Sequence, residues 1–286
     1  MLAASRLSGL LPLAGVAGYP VAHSLSPAMM AAWLETSGLP GRYTAFEIAP
    51  EQFETAIRAL PALGITGLNI TLPHKRAAFE IADTLGDAAR AVGAVNLLVR
   101  RDDGGLHGDN TDVIGIAAAL RQGGVDRAEG PAVILGAGGA ARAALYQLRR
   151  EGYDDIRIVN RTPDRARQLA EDFEIDVLVR NWDSANGALD GAALIVNASS
   201  LGMAGQPNLT LDLSPSSRNA LVFDMVYVPL ETQLLRQARQ TGRRSVDGLA
   251  MLIGQARPSF EAFFGAPPPD TAAVRDLLVS ILEIRS

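Results

Sequence analysis

The sequence predicts an α/β protein of two α/β blocks, the second a doubly wound parallel sheet, and three observations predict it. The chain has 286 residues, room for one large α/β domain or two of ordinary size. Short apolar runs at 13–18, 132–135, 156–159, 193–197 and 221–225 alternate with helical segments, the pattern of a doubly wound parallel sheet. The run at 132–135 (AVIL) passes directly into GAGGAAR, where Gly136, Gly138 and Ala141 fit the spacing G-x-G-x-x-G/A of a Rossmann-type turn.

In the first block, strand 13–18 is stopped by Tyr19-Pro20. His23-Ser24-Leu25-Ser26-Pro27 then opens an amphipathic helix running through Trp33 and Leu34 to Gly38. Pro27 suits the first helical turn and Ser26 its cap. Two hydroxyls at a helix N-terminus also make a receptor for a small carboxylate. A strand at 43–48 and a helix at 51–60 follow, then a strand at 66–71 broken by Leu72-Pro73. Polar residues at the C-terminal end of such a strand sit where α/β sheets carry ligand-binding groups. Lys75 starts the next helix, an electrostatically poor place for a lysine unless an anion or a function holds it; His74 reads as structural. Gly93-Ala94-Val95-Asn96 leads into a strand at 97–100, and Gly108-Asp109-Asn110-Thr111-Asp112 into a helix at 113–122. Taken singly, Asn96 and Asp112 are a turn residue and a cap.

In the second block, a helix over 139–151 directs its positive N-terminal end at a pyrophosphate. Strand 156–159 runs into Asn160-Arg161-Thr162, with Arg165 one turn on. An acidic residue here would bind a ribose 2′-hydroxyl; two guanidiniums and two short polar side chains suit a 2′-phosphate instead, so the cofactor expected is NADP(H). Cations at a helix start merely as solvated surface are disfavoured, because they oppose the macrodipole. Further strands are expected at 177–179 and 243–246, a surface loop at 205–217 and a helix at 231–241. Asp247 caps a helix bearing Met251 and Gln255 on one face, and after Pro267-Pro268-Pro269 comes a last amphipathic helix at 271–284.

The net charge of −5 argues against nucleic acid or an anionic membrane as partner. With no cysteine there is no disulfide, thiolate zinc site or cysteine nucleophile, which fits a reducing, cytoplasmic setting. The three histidines, at 23, 74 and 107, lack metal-ligand spacing, and no metal is expected. The apolar start could mimic a signal peptide, but 13–18 is better used as a strand, and no run reaches the length of a membrane span. The oligomeric state is not indicated.

The set of segments resembles the shikimate dehydrogenase family. Ser24-Leu25-Ser26-Pro27, Asn69-Ile70-Thr71-Leu72-Pro73-His74-Lys75, Gly93-Ala94-Val95-Asn96, Gly108-Asp109-Asn110-Thr111-Asp112, the glycine turn, Asn160-Arg161-Thr162 with Arg165, Asn197-Ala198-Ser199-Ser200, Asp224-Met225-Val226-Tyr227 and the run 248–256 match in family order. Departures are confined to Met30, Ala31, Leu97 and Val113, none at a position the family uses for chemistry. The resemblance implies an enzyme of the shikimate pathway for aromatic amino acid biosynthesis, reducing 3-dehydroshikimate reversibly with NADPH. It implies a substrate domain over 1–112, a Rossmann-type NADP domain over 113–246, and C-terminal helices over 247–286 returning to the first. It assigns Lys75 and Asp112 as the acid–base pair, and Ser24 and Ser26 to the substrate carboxylate with Tyr227 nearby. Asn69, Thr71, Asn96 and Gln255 fall to the ring hydroxyls. Gly136, Gly138, Gly139, Ala140, Ala141, Asn160, Arg161, Thr162, Arg165 and Ser199 fall to the cofactor, with Met225, Gly248 and Met251 on its nicotinamide side. Quinate or an aminoshikimate analogue as substrate, and a non-catalytic NADP-binding regulator, are the alternatives.

Overall fold

The computed structural model describes residues 11–125, 129–269 and 271–285. Residues 1–10, which carry most of the signal-like start, lie outside the described residues. The chain divides into two compact units: residues up to Thr111 with Gln255–Ile281, and Asp112–Gly254 with the C-terminal residues from Leu282.

The first unit holds a six-stranded sheet in the order β2-β1-β3-β5-β6-β4. Its strands are β1 (Leu13–Gly18), β2 (Arg42–Glu47), β3 (Gly67–Ile70), β4 (Thr84–Leu85), β5 (Leu97–Arg100) and β6 (Leu106–Asp109). The pairings are not all alike: β1 is parallel to β2 and β3, whereas β5 is antiparallel to both β3 and β6. The sheet is mixed because β5 and β6 are joined by the short polar turn around Asp102-Asp103-Gly104, too short for a crossover. The helices are α1 (Ser26–Ser37), α2 (Phe53–Ala59), α3 (Lys75–Ile81) and α4 (Asp87–Val92). Ser26 is the first residue of α1, not its cap. Leu25 precedes the helix, and the Ser24 hydroxyl accepts from the Ser26 N–H at 3.3 Å.

Phe53, Ile57, Leu68, Ile70 and Leu98 form one face of the core. The other face is covered by α1 and by the part of α10 (Gly248–Phe264) that belongs to this unit. There Trp33 meets Phe260 edge to face at 5.6 Å, and an added side chain on Gly67 would strike the Leu98 carbonyl and the Phe263 ring.

The second unit is an all-parallel six-stranded sheet in the order β12-β11-β10-β7-β8-β9. Its strands are β7 (Ala132–Leu135), β8 (Ile156–Val159), β9 (Leu178–Arg180), β10 (Leu194–Asn197), β11 (Leu221–Asp224) and β12 (Arg244–Val246). All four residues of β7, of β10 and of β11 are buried, as central strands covered on both faces require. The helices are α5 (Asp112–Gln122), α6 (Gly139–Arg150), α7 (Pro163–Asp172), α8 (Ala185–Ala188) and α9 (Gln233–Gln240). The chain ends in α11 (Thr271–Arg285).

Phe260 is fully buried. Phe260→Ala is expected to lower the unfolding free energy by about 3–5 kcal/mol, read from urea denaturation.

Candidate active site

In the first unit, strand pairing gathers the functional side chains at one edge. Val16 is level with Asn69, Asn69 with Leu97, and Leu97 with Asp109. The loops leaving β1, β3 and β6 and the segment entering β5 therefore share that edge. Thr71 donates its N–H to Ala17, and Tyr19 to Leu72, so the loops after β1 and β3 are tied together. Gly18 packs so closely on the Thr71 side chain that a Cβ would collide with it.

Several of the residues assigned to substrate are linked directly. The Asn96 Oδ1 accepts from the Thr111 N–H at 2.7 Å and from the Thr111 hydroxyl at 3.2 Å, while its amide nitrogen donates to Gln255 Oε1 at 3.4 Å. Asn69 donates to the Asn96 carbonyl at 3.2 Å. Lys75 is the first residue of α3, half-buried, and its carbonyl accepts from Val95. His74 is buried, stacked on Phe53 at 4.2 Å with Nε2 2.7 Å from the Ile48 carbonyl, a structural role.

Two participants here left no sequence signal. Tyr43 donates its hydroxyl to Asn69 Oδ1 at 2.9 Å and hydrogen-bonds Ser26 as well. Ser259, fully buried, accepts from the Asn69 amide at 2.8 Å. Tyr43 sits in an edge strand and Ser259 in a helix, where neither residue type announces a site.

Asp112 and Tyr227 belong to the second unit. Asp112 is buried in the first turn of α5, where a carboxylate is favoured by the helix dipole. Burial pushes the Tyr227 phenol up, with Arg285 acting in the opposite direction.

The residues expected to meet the cofactor follow the strands of the second sheet, whose order reverses between β7 and β10. Gly136 follows β7 with φ +116°, and an added Cβ would lie 3.0 Å from the Ala198 carbonyl beyond β10; only glycine fits. At Gly138 and Gly139 a Cβ would meet nothing within 4 Å. Open backbone at the start of α6, with no side chain capping it, is the cradle a pyrophosphate requires. Ala140 and Ala141 continue the first turn, Ala141 fully buried. After β8, Asn160 donates to the Thr162 carbonyl at 2.8 Å. The exposed Arg161 and Arg165 side chains make no hydrogen bond or ion pair among the described residues.

A buried network joins the ends of β10 and β11. Asp224, fully buried, accepts from Asn197 at 2.8 Å, from the Val226 N–H at 3.0 Å and from the Thr232 hydroxyl at 2.7 Å. Asn197 in turn accepts from the Ser199 hydroxyl at 2.7 Å. One carboxyl group thereby holds both the Ser199 loop and the segment carrying Met225 and Tyr227. Gly248 lies against the Met225 carbonyl with no room for a Cβ, and Met251 is buried in the same turn of α10.

A sheet in the Rossmann order with an open glycine turn after β7 defines the class, a dinucleotide-dependent α/β oxidoreductase. Residues 16–98 match the model of the shikimate dehydrogenase substrate-binding domain and residues 119–227 that of shikimate/quinate 5-dehydrogenase. A shikimate dehydrogenase (NADP(+)) of Rhodospirillum rubrum is 48% identical over 275 residues, 94% of this chain and 97% of that one. The crystal structure of shikimate 5-dehydrogenase from Thermus thermophilus in complex with NADP(H) and shikimate is 35% identical with a TM-score of 0.83, covering 96% of this chain and 100% of that one. Quinate dehydrogenase from Corynebacterium glutamicum in complex with NAD is 30% identical with a TM-score of 0.86, covering 94% of this chain and 98% of that one. This chain belongs to the shikimate dehydrogenase family.

Burial pushes the Asp224 carboxyl above its ordinary value of 3.8, against three hydrogen bonds that pull it down. A raised folded-state pKa means that the folded chain keeps this proton after the unfolded chain has lost it. The associated stability is complete below the ordinary value and is lost as pH rises through the folded one. Asp224→Asn is neutral throughout. The stability of the unaltered protein relative to this variant is thus expected to fall as pH rises from about 4 and then level off, in paired denaturant titrations.

Proposed function

We propose that this chain is an NADP(H)-dependent shikimate dehydrogenase, reducing 3-dehydroshikimate to shikimate and catalysing the reverse. The observation that carries the reading is the match of residues 16–98 and 119–227 to the two family domains, in a chain aligned over 94% of its length with a relative named as NADP(+)-dependent. In this reading residues 1–112 bind substrate, 113–246 bind NADP, and the helices of 247–286 complete the substrate domain. Its setting is cytoplasmic with no nucleic-acid partner, supported by the net charge of −5 and the lack of cysteine. No described helix is long and apolar enough to cross a membrane.

The glycine turn, with Ala140, Ala141 and Ser199, holds the pyrophosphate side of the cofactor. Asn160, Arg161, Thr162 and Arg165 hold the 2′-phosphate, with Met225, Gly248 and Met251 toward the nicotinamide. Bound NADPH supplies the hydride that ends on the carbonyl carbon. Lys75, as an ammonium, hydrogen-bonds the carbonyl oxygen, stabilises the negative charge that develops there and delivers the proton. Asp112 is the carboxylate partner that orients the ammonium and shares its proton. Ser24, Ser26 and Tyr227 receive the carboxylate. Thr71, Asn96, Gln255 and Asn69 meet the ring hydroxyls, neutral groups suited to hydroxyls whose burial unpaired is costly.

The likeness to a quinate dehydrogenase solved with NAD supports a second reading, in which quinate is the better substrate. The exposed Arg161 and Arg165, without a partner among the described residues, favour NADP(H) over NAD(H). Side-by-side kcat/KM for shikimate and quinate, each with NADP+ and NAD+, decides between them.

Lys75→Ala is expected to fold and bind cofactor while losing about 10²- to 10⁴-fold in kcat, as removal of a placed acid does. Turnover at the original rate removes Lys75 from the mechanism. Replacing Arg161 and Arg165 by alanine is expected to weaken NADPH binding by about tenfold or more and NADH binding little, measured by fluorescence titration. Equal losses would assign the 2′-phosphate to other residues.

A further inference from the structure

Asn69 has two N–H donors and two acceptor lone pairs, and the surrounding protein uses them unequally. One N–H goes to the Asn96 carbonyl at 3.2 Å and the other to Ser259 Oγ at 2.8 Å. The Ser259 hydroxyl turns its own hydrogen to the Gln255 carbonyl at 3.4 Å, which leaves its oxygen to accept. On the other side the Tyr43 hydroxyl donates to Asn69 Oδ1 at 2.9 Å.

This arrangement has one direction only. A rotated amide would set its oxygen against the Asn96 carbonyl, acceptor against acceptor, and its nitrogen toward the hydroxyl of Tyr43. Tyr43 and Ser259 are both buried, so water cannot replace either partner. Burial also pushes the Tyr43 phenol well above its ordinary range, so it stays a donor at any working pH. Both amide hydrogens of Asn69 are therefore engaged within the protein, and the half-buried side chain has one oxygen lone pair left.

We propose that Tyr43 and Ser259 are positioning residues that lock the Asn69 amide with its oxygen outward as an acceptor, so that this position selects a substrate hydroxyl able to donate. The proposal rests on reading this edge of the sheet as the shikimate-binding half. It narrows the role of Asn69 from a general polar contact to a one-way one. It also makes two residues outside the expected substrate set into determinants of hydroxyl recognition.

The test uses Tyr43→Phe and Ser259→Ala, singly and together, in the full-length protein. Each is assayed with shikimate and with two analogues, each lacking one of the non-reacting ring hydroxyls. The unaltered protein should discriminate against at least one analogue. Tyr43→Phe is expected to lower kcat/KM for shikimate about tenfold through KM, leaving KM for NADP+ unchanged. The preference for shikimate over that same analogue should narrow by a similar factor. Ser259→Ala should act in the same sense more weakly, and it supplies the readout should Tyr43→Phe not fold. Equal losses on shikimate and both analogues, or no change in discrimination, would overturn the proposal. If the unaltered protein is silent on shikimate but turns over quinate, the shikimate reading fails, and the same comparison on quinate and its deoxy analogues tests the amide lock separately.

Discussion

Parallel strand pairing is the constraint on which the two units' functional edges depend. Strands running the same way end on the same side, so loops distant in sequence meet there. In the first unit β1, β3 and β6 run in one direction and β5 enters from the same side. That alone brings Ser24, Thr71, Asn96 and Thr111 to a common edge. In the second unit the reversal of strand order between β7 and β10 opens the place where the Gly136 turn and the Ser199 loop approach each other.

The edges are then stiffened by buried polar groups. Asp224 accepts three hydrogen bonds in a fully buried position, and Asn96 receives two at one oxygen. An unsatisfied group of this kind costs more than a satisfied one contributes, so such networks specify a single arrangement of the loops they hold. The backbone at Gly138 and Gly139 is the opposite case, open space in which an added Cβ would meet nothing within 4 Å.

Much of this was legible in the order of residues, and what was not has physical causes. Central strands announced themselves, because 132–135 and 194–196 are apolar without interruption, as burial on both faces demands. The glycine turn was legible because the backbone at Gly136, with φ +116° and the Ala198 carbonyl close by, admits only a residue without a Cβ. The antiparallel β5 was not expected, since nothing in a four-residue run distinguishes its direction. Ser26 looked like a helix cap, and the structure moves the helix start one residue earlier; a serine satisfies either position locally. Tyr43 and Ser259 were invisible because their roles depend on contacts 26 and 190 residues away.

That last gap has a general physical basis. Sequence motifs identify side chains that could touch a ligand, but recognition depends on which of their donors and acceptors the fold has left over. Asn69 could in principle offer two donors and two acceptors. Within its network both donors are engaged, and one lone pair remains. Asn197, equally polar and also at a strand end, is turned inward: it donates to Asp224 and the Leu201 carbonyl and accepts from Ser199. Two asparagines near the ends of strands in the two sheets thus have opposite duties, one presenting an oxygen and the other bracing a loop. The hydrogen-bond partners behind each residue, and not its chemical type, separate them.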